Sequence, residues 1–359
     1  MKLAPIGIAL TAGAVIFAAV AGSAATHRLL DDACSGKPTA IKELAAREDA
    51  FDLLQSRPLS QRIAFAQGAQ EANSPDAVKL ALSMMKDPDL RVREAVQSAL
   101  DHLAQTHIAP MAEGLKNPHA NVRRAAIEAL AKVGPPALPF AAQTASAAPE
   151  ATGELFVKIG PASRNHLISL LKDPKTQNMA MDALGKLRLG AREIMQYEGA
   201  AAIRALAEIA DPASADRLAK AAQNERESPA LRATAIEGLG RIDPNHSTLK
   251  SLASHDDPAI AEAAVKTGAT SKDSLLTARA TRDETILVRL LSHPDDRVAA
   301  QAARSLAGRQ PDALLKAVRS NRPVVIEAAI QSLDPDRVRT LTKDADPVVH
   351  YLARKAMGD

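Results

Sequence analysis

The 359-residue chain contains no Trp, two Tyr and five Phe, so aromatic side chains make up only 2% of it. That shortage argues against a buried site for a large planar ligand, since such sites are lined mainly by apolar and aromatic groups. Cys34 is the single cysteine, which rules out a disulfide within the chain. A lone thiol with no placed histidine is not a catalytic dyad either. The nine His are scattered, and no two have the spacing that sets metal ligands on one helix face. His-Glu dipeptides, Gly-rich phosphate loops and G-x-S-x-G turns are all missing. The net charge is +3, far from the dense basic stripe that phosphate neutralisation requires, so no nucleic-acid partner is expected. No stretch alternates apolar and polar residues between turn residues, which leaves no strand signal. The chain is expected to be all-α, to hold no cofactor and not to be an enzyme.

What the sequence has in abundance is repetition. Residues 92–100 read VREAVQSAL, and residues 122–130 read VRRAAIEAL. Related nine-residue blocks start at Ala148, Thr176, Glu198, Leu231, Ile260, Val298, Val325 and Val349, at spacings of about 22 to 38 residues. A period in this range signals a solenoid rather than one globular core. Ser, Asp or Asn precedes many of the 22 Pro, as in Ser74-Pro75, Asp87-Pro88, Asn117-Pro118, Asp173-Pro174, Asp243-Pro244 and Asp257-Pro258. A capping side chain followed by Pro at the first helical position predicts a helix start, because that Pro lacks only an N–H that has no intrahelical partner. Gly134, Gly160 and Gly308 lie where a helix should stop. Each repeat is therefore predicted to be two short antiparallel helices, with the block as the second. Ala at the middle block positions lets neighbouring helices approach closely, and Leu, Ile and Val at the ends supply apolar area. The core would lie between repeats, so chain length imposes no division into domains.

These features resemble the HEAT-like repeats, in particular the short variety named after phycobilin lyase accessory proteins. The resemblance rests on Gly134-Pro-Pro-Ala-Leu138, on GPASRNHLISLLKDP (160–174), on DPDLRVREA (87–95) and on ALGKL (183–187), and extends over roughly residues 58–359. It implies a right-handed α-solenoid of about ten helix pairs, spanning residues 38–359. Packing should be least regular around 135–160 and 190–228, where the blocks at Ala148 and Glu198 are degenerate. The family holds scaffolds, assembly factors and a few enzymes, so the fold alone does not fix a function. The enzymes among them that bind iron use His-Glu dipeptides, which this chain lacks.

Residues 1–25 carry one early charge, Lys2, and then an apolar run ending in small residues. They are expected to be a signal peptide, cleaved near Ser23-Ala25 or Ala19-Ala21, or an N-terminal membrane anchor formed by residues 3–25. Either outcome makes the protein exported, to the periplasm or outside the cell. Residues 26–37 read as a linker, with Cys34 an unpaired thiol in a loose segment.

Two constellations remain. His255-Asp-Asp-Pro258 and His293-Pro-Asp-Asp296 occupy comparable turns and hold metal-type donors, but Asp257 already has a capping role before Pro258, so no metal is expected. Arg93, Arg123 and Arg232, at the second block position, should bond to Asp or carbonyl groups of neighbouring repeats. If positions one, four, five, eight and nine face the core, three and seven share the exposed side. Position seven reads Ser98, Glu128, Glu154, Asp182, Arg204, Glu237, Lys266, Arg304, Gln331 and Lys355, polar throughout. Acidic residues come first and basic ones later. With Glu94 and Arg124 from position three, this ridge is the expected protein-binding surface, since second helices line the concave side in the family it resembles. The expected function is a non-catalytic exported scaffold or assembly factor that binds another protein. The alternative is an accessory subunit of a lyase or cofactor-attachment enzyme.

Overall fold

A computed structural model describes residues 24–269 and 274–358. Residues 1–23, which hold nearly all of the expected signal or anchor, lie outside the described residues, and among those described no helix is long and apolar enough to cross a membrane. The described residues are helices and turns, with no strand among them.

Capping works as the sequence predicts at most of the Pro sites. Ser74 Oγ accepts the Ala77 N–H at 3.2 Å, Asp257 Oδ1 that of Ala259 at 2.8 Å, and Asp346 Oδ1 those of Val348 and Val349 at 2.8 and 3.4 Å. Each satisfies an amide at a helix start that has no carbonyl partner. Asp87, Asn117, Asp173 and Asp243 do something else. Their side chains accept the N–H two residues on, from Asp89, His119, Lys175 and Asn245, at 2.9–3.0 Å. They fold the turn before the helix, and the cap falls on a later residue such as Asp89, which accepts from Arg91 N.

The chain folds as two compact units that meet at Leu187 and Arg188, where the sequence pattern suggests one unbroken array. The division falls at the start of the weakly patterned stretch. There Arg188 and Gly190 take left-handed φ values of 56° and 76°, and the first helix of the pair shrinks to Ala191–Ile194.

In the first unit, Leu59–Ala72, Leu90–Leu103, Ala120–Val133, Pro149–Ile159 and Gln177–Leu187 lie side by side, each packed on the one before and the one after. The shorter Pro75–Met84, Ile108–Glu113, Leu138–Thr144 and Arg164–Leu170 cover them as a second layer. In the second unit the inner row is Ala200–Ile209, Pro229–Ile242, Pro258–Lys266, Ser274–Ala280, Asp296–Ser305, Pro323–Gln331 and Pro347–Met357. The about ten helix pairs are present, and one unexpected helix interrupts the inner row of the second unit. The 38-residue gap between the blocks at Ile260 and Val298 hides Ser274–Ala280, which packs between Pro258–Lys266 and Asp296–Ser305 within the inner row. The expected irregularity around 135–160 is mild: Pro149–Ile159 is a full helix, with a buried contact of 3.2 Å between the Thr144 and Thr152 hydroxyls.

The cores lie between second helices. The fifth block residue is fully buried in every repeat: Val96, Ala126, Thr152, Ala180, Ala202, Ala235, Ala264, Ala302, Ala329 and Ala353 are each 0% exposed. Leu100, Leu130, Leu184, Leu206 and Leu239 close the blocks and are also fully buried. An aliphatic side chain buried to this degree contributes about 1.5–3 kcal/mol relative to an exposed one.

Residues 26–37 are not a linker. Residues 24–34 are helical, with Leu30 and Ala33 buried. A Cβ on Gly68 would lie 2.6 Å from the Cys34 carbonyl oxygen, so only Gly allows Leu59–Ala72 to approach this closely. Arg57 bonds to His27 and Asp31 across the same contact. Cys34 is free and half-buried on the docked helix, and burial pushes its thiol pKa up against the pull of Arg57.

One ion pair fastens a second helix to the following turn. Arg62 Nη1 donates to both oxygens of Asp87, at 2.9 and 2.7 Å, and the Asp87 side chain is fully buried. Removing one partner of a buried pair strands the other charge, which costs about 3–5 kcal/mol. Asp87→Ala should lower the free energy of denaturant unfolding by that amount. Arg297→Ala, on a pair 79% and 37% exposed, should leave it nearly unchanged. Equal losses in the two variants would show that burial of Asp87 does not matter.

Candidate protein-binding surface

The register that buries position five turns position seven outward. Ser98, Glu154, Asp182, Arg204, Glu237, Lys266, Arg304, Gln331 and Lys355 are exposed, and Glu128 is half-buried. At position three, Glu94 and Arg124 are exposed too. The expected residues thus form one row in each unit.

In the first unit the row is Ser98, Glu128, Glu154 and Asp182. A second row that the sequence reading overlooked runs beside it. Lys132, Lys158 and Lys186 each stand four residues after an acid of the first row, and all three are exposed. That spacing faces acid and base one helical turn apart, with the Lys in the last turn, where it complements the helix dipole. Asp182 closes its pair with Lys186 at 2.8 Å. Lys132 reaches back to Asp101 on the preceding second helix instead. Glu94, Glu128 and Glu154 make no ion pair among the described residues, and Arg124 donates to Asn121 Oδ1 at 3.1 Å.

In the second unit the row is more heavily paired. Glu262 binds Lys266 within its helix at 3.0 Å and Arg279 on Ser274–Ala280 at 3.0 Å. Hydrogen bonding to Lys266 holds the Glu262 carboxyl below its usual range, aided by both positive charges. Lys355 reaches Glu327 on the neighbouring second helix at 3.0 Å, and that contact raises the lysine pKa. Arg204, Glu237 and Arg304 make no ion pair among the described residues. Lys355 therefore ties two helices together, Asp182 and Lys266 are paired within their own helices, and Glu128, Glu154, Glu237 and Arg304 are the more available charges.

The Arg expected to link neighbouring repeats mostly serve their own. Arg93 Nη1 donates to the Asp87 and Pro88 carbonyls at 2.6 and 2.8 Å, and Arg123 Nη1 to those of Asn117 and Pro118 at 2.9 and 2.7 Å. Both clamp the turn that precedes their own helix, because the side chain runs back toward the N-terminus over it. Arg232 is buried; its Nε donates to Ala222 O at 2.9 Å, and its Nη2 lies 3.1 Å from His255 Nε2 in the next repeat. The link between repeats comes instead from Arg62, from Arg319, bound to both oxygens of Asp344 at 2.8 and 2.6 Å, and from Arg322, bound to the His293 carbonyl at 2.8 Å.

His255 and His293 do not converge. Each folds its own turn: His255 Nδ1 accepts Asp257 N–H at 2.9 Å, and His293 Nδ1 accepts Asp295 N–H at 3.1 Å. They stand where Asp87, Asn117 and Asp344 stand in other repeats, with a ring nitrogen in place of a carboxylate or amide oxygen. Among the described residues, no group of three or more His, Cys, Asp or Glu is placed to hold a metal ion. If His293 is a turn acceptor, His293→Asn should keep the thermal midpoint close to that of the unchanged protein, and His293→Leu should lower it. Equal losses in the two variants would remove the turn role.

Residues 196–265 match the family described as HEAT repeats. They run from the turn before Ala200–Ile209 through most of Pro258–Lys266, so the chain carries HEAT-like repeats. No curated protein matches the chain in sequence. Among solved structures, it is similar to an engineered protein at 16% identity, over 93% of this chain and 94% of that one, with a TM-score of 0.23. It is similar to importin beta at 11% identity, over 92% and 62%, with a TM-score of 0.40. Karyopherin Kap121p bound to Ste12p is a third, at 12% identity, over 91% and 48%, with a TM-score of 0.39. The chain spans less than two thirds of the importin and karyopherin chains.

Proposed function

We propose that the protein is a non-catalytic scaffold or assembly factor that binds another protein through its second-helix rows, and that it does so after export. The observation that carries this reading is the regularity of position seven. Ten successive blocks place a polar residue there, nine of them exposed, on a framework whose fifth position is fully buried throughout. Such a surface offers many modest polar contacts at fixed spacing, which suits recognition by charge and shape over a broad area. In the first unit the open carboxylates Glu128 and Glu154, with Asp182, should meet basic groups of the partner, and Lys132, Lys158 and Lys186 beside them set its register. Arg304 and Arg204 give the second unit a preference for acidic groups.

Affinity capture from intact cells, followed by binding with purified components, tests the surface. Glu128→Lys, Glu154→Lys and Asp182→Lys together should weaken binding at least about tenfold at low salt and much less at high salt, with unchanged helicity. Unaltered affinity would mean that the row is solvated surface only.

Export rests on the composition of residues 1–25. Mass spectrometry of protein from fractionated cells should find it outside the cytoplasm, starting after Ala21 or Ala25 if the segment is cleaved and at Met1 if it anchors. Recovery in the cytoplasm with an intact N-terminus would overturn export and leave the binding surface to stand by itself.

A further inference from the structure

We infer that the second unit holds a carboxylate-binding notch on its inner row, formed by Arg241, Lys266 and Arg282, which takes an acidic side chain of an extended partner segment. The inference rests on the reading of these rows as a partner surface and adds the position and chemistry of one contact. A cleft of about 360 Å³ opens there, lined by Glu237, Gly240, Arg241, Lys266, Thr267 and Arg282. Its three cations come from three consecutive inner elements: the last turn of Pro229–Ile242, the last residue of Pro258–Lys266, and the turn after Ser274–Ala280.

Each cation is set differently. Arg241 Nη2 donates to Ala207 O at 2.7 Å, which anchors the guanidinium and leaves its remaining N–H groups free to donate. Lys266 is paired at 3.0 Å with Glu262, one turn earlier on its own helix, which is not among the residues that line the cleft. Arg282 is exposed and makes no ion pair among the described residues. The floor is tight: a Cβ on Gly240 would lie 2.3 Å from Thr267 Cγ2. With the two helices in contact below, the cations stand around a shallow recess instead of filling it. Glu237 is the only carboxylate among the described residues of the lining, which together carry an excess of positive charge. The size of the recess suits one or two carboxylates, and the rows on either side suit an extended chain that presents them.

The notch predicts effects of opposite sign. Full-length protein would be titrated with an acetylated, amidated oligo-glutamate peptide at low ionic strength, with inorganic phosphate in a parallel titration. Arg282→Glu should weaken peptide binding about fivefold or more, and Glu237→Gln should tighten it by removing the one opposing charge. Neither change touches a buried side chain, and circular dichroism should confirm an unaltered fold. Equal affinity of Arg282→Glu and the unchanged protein overturns the notch. So does phosphate that displaces the peptide completely at the peptide's own concentration, which would mark a site for small free oxyanions. If reversal of Glu128, Glu154 and Asp182 abolishes partner binding while Arg282→Glu leaves both peptide and partner binding intact, the scaffold reading survives and the notch does not.

Discussion

Within each unit, each second helix is pressed against the next across a seam where little more than a methyl group fits. The fifth block residue is Ala in most repeats and is sealed from water in all of them. At several points even a methyl is too large. A Cβ on Gly238 would lie 2.6 Å from Ala207 Cα, and one on Gly153 would lie 2.8 Å from Met179 Cγ. Close approach brings many weakly attractive atom pairs into contact, and interiors packed this tightly tolerate no added volume. Once the seam is fixed, the helical period dictates the rest. Positions one and nine must carry bulk, position seven must face water, and acid and base spaced four apart must face each other along it.

The turns obey an equally strict rule. A helix start leaves amides without carbonyl partners, and a short connection has few atoms to offer them. The repeats answer with two side-chain acceptors in series, the first folding the turn and the second capping the helix. Asp87 and Asp89 do this in one repeat, His293 and Asp295 in another, Asp344 and Asp346 in the last. At two of the carboxylate turns an Arg from the preceding repeat finds the first acceptor, as Arg62 finds Asp87 and Arg319 finds Asp344. At the imidazole turns the Arg partner differs: Arg322, from the following repeat, takes the His293 and Pro294 carbonyls, whereas Arg232, from the preceding repeat, lies 3.1 Å from His255 Nε2.

Much of this is legible in the sequence, because it repeats. The buried fifth position, the exposed seventh and the all-α pairs follow from a period that ten copies make unmistakable. What stayed hidden was whatever departs from that period or depends on distance. Ser274–Ala280 escaped because its sequence, SLLTARA, has a shape different from the blocks that flank it. The role of Arg93 was misassigned because spacing tells which face a side chain leaves from, not whether its terminus turns back over its own turn. Asp87 looked like a cap because caps and turn-formers share the same residue types before Pro; only the identity of the amide that each one meets separates them. Docking of residues 24–34 depended on Gly68, and a single glycine within LSQRIAFAQGAQEA gives no sign of what lies against it. The recess at Gly240 is invisible for the same reason.

The contacts of the inner rows also set the order in which such a chain gains structure. Within each unit, each second helix touches the ones immediately before and after it in the sequence of repeats, so few stabilising contacts wait for distant segments to meet. Low contact order of this kind shortens the search for native pairings and lets structure spread from any pair that forms first. The helix at 24–34, seated on Leu59–Ala72, gives the earliest part of the first unit a seam to grow from. A polypeptide that emerges gradually, from a ribosome or through a membrane pore, can then add repeats in the order in which they appear, with each new Ala-lined face covered soon after it is exposed.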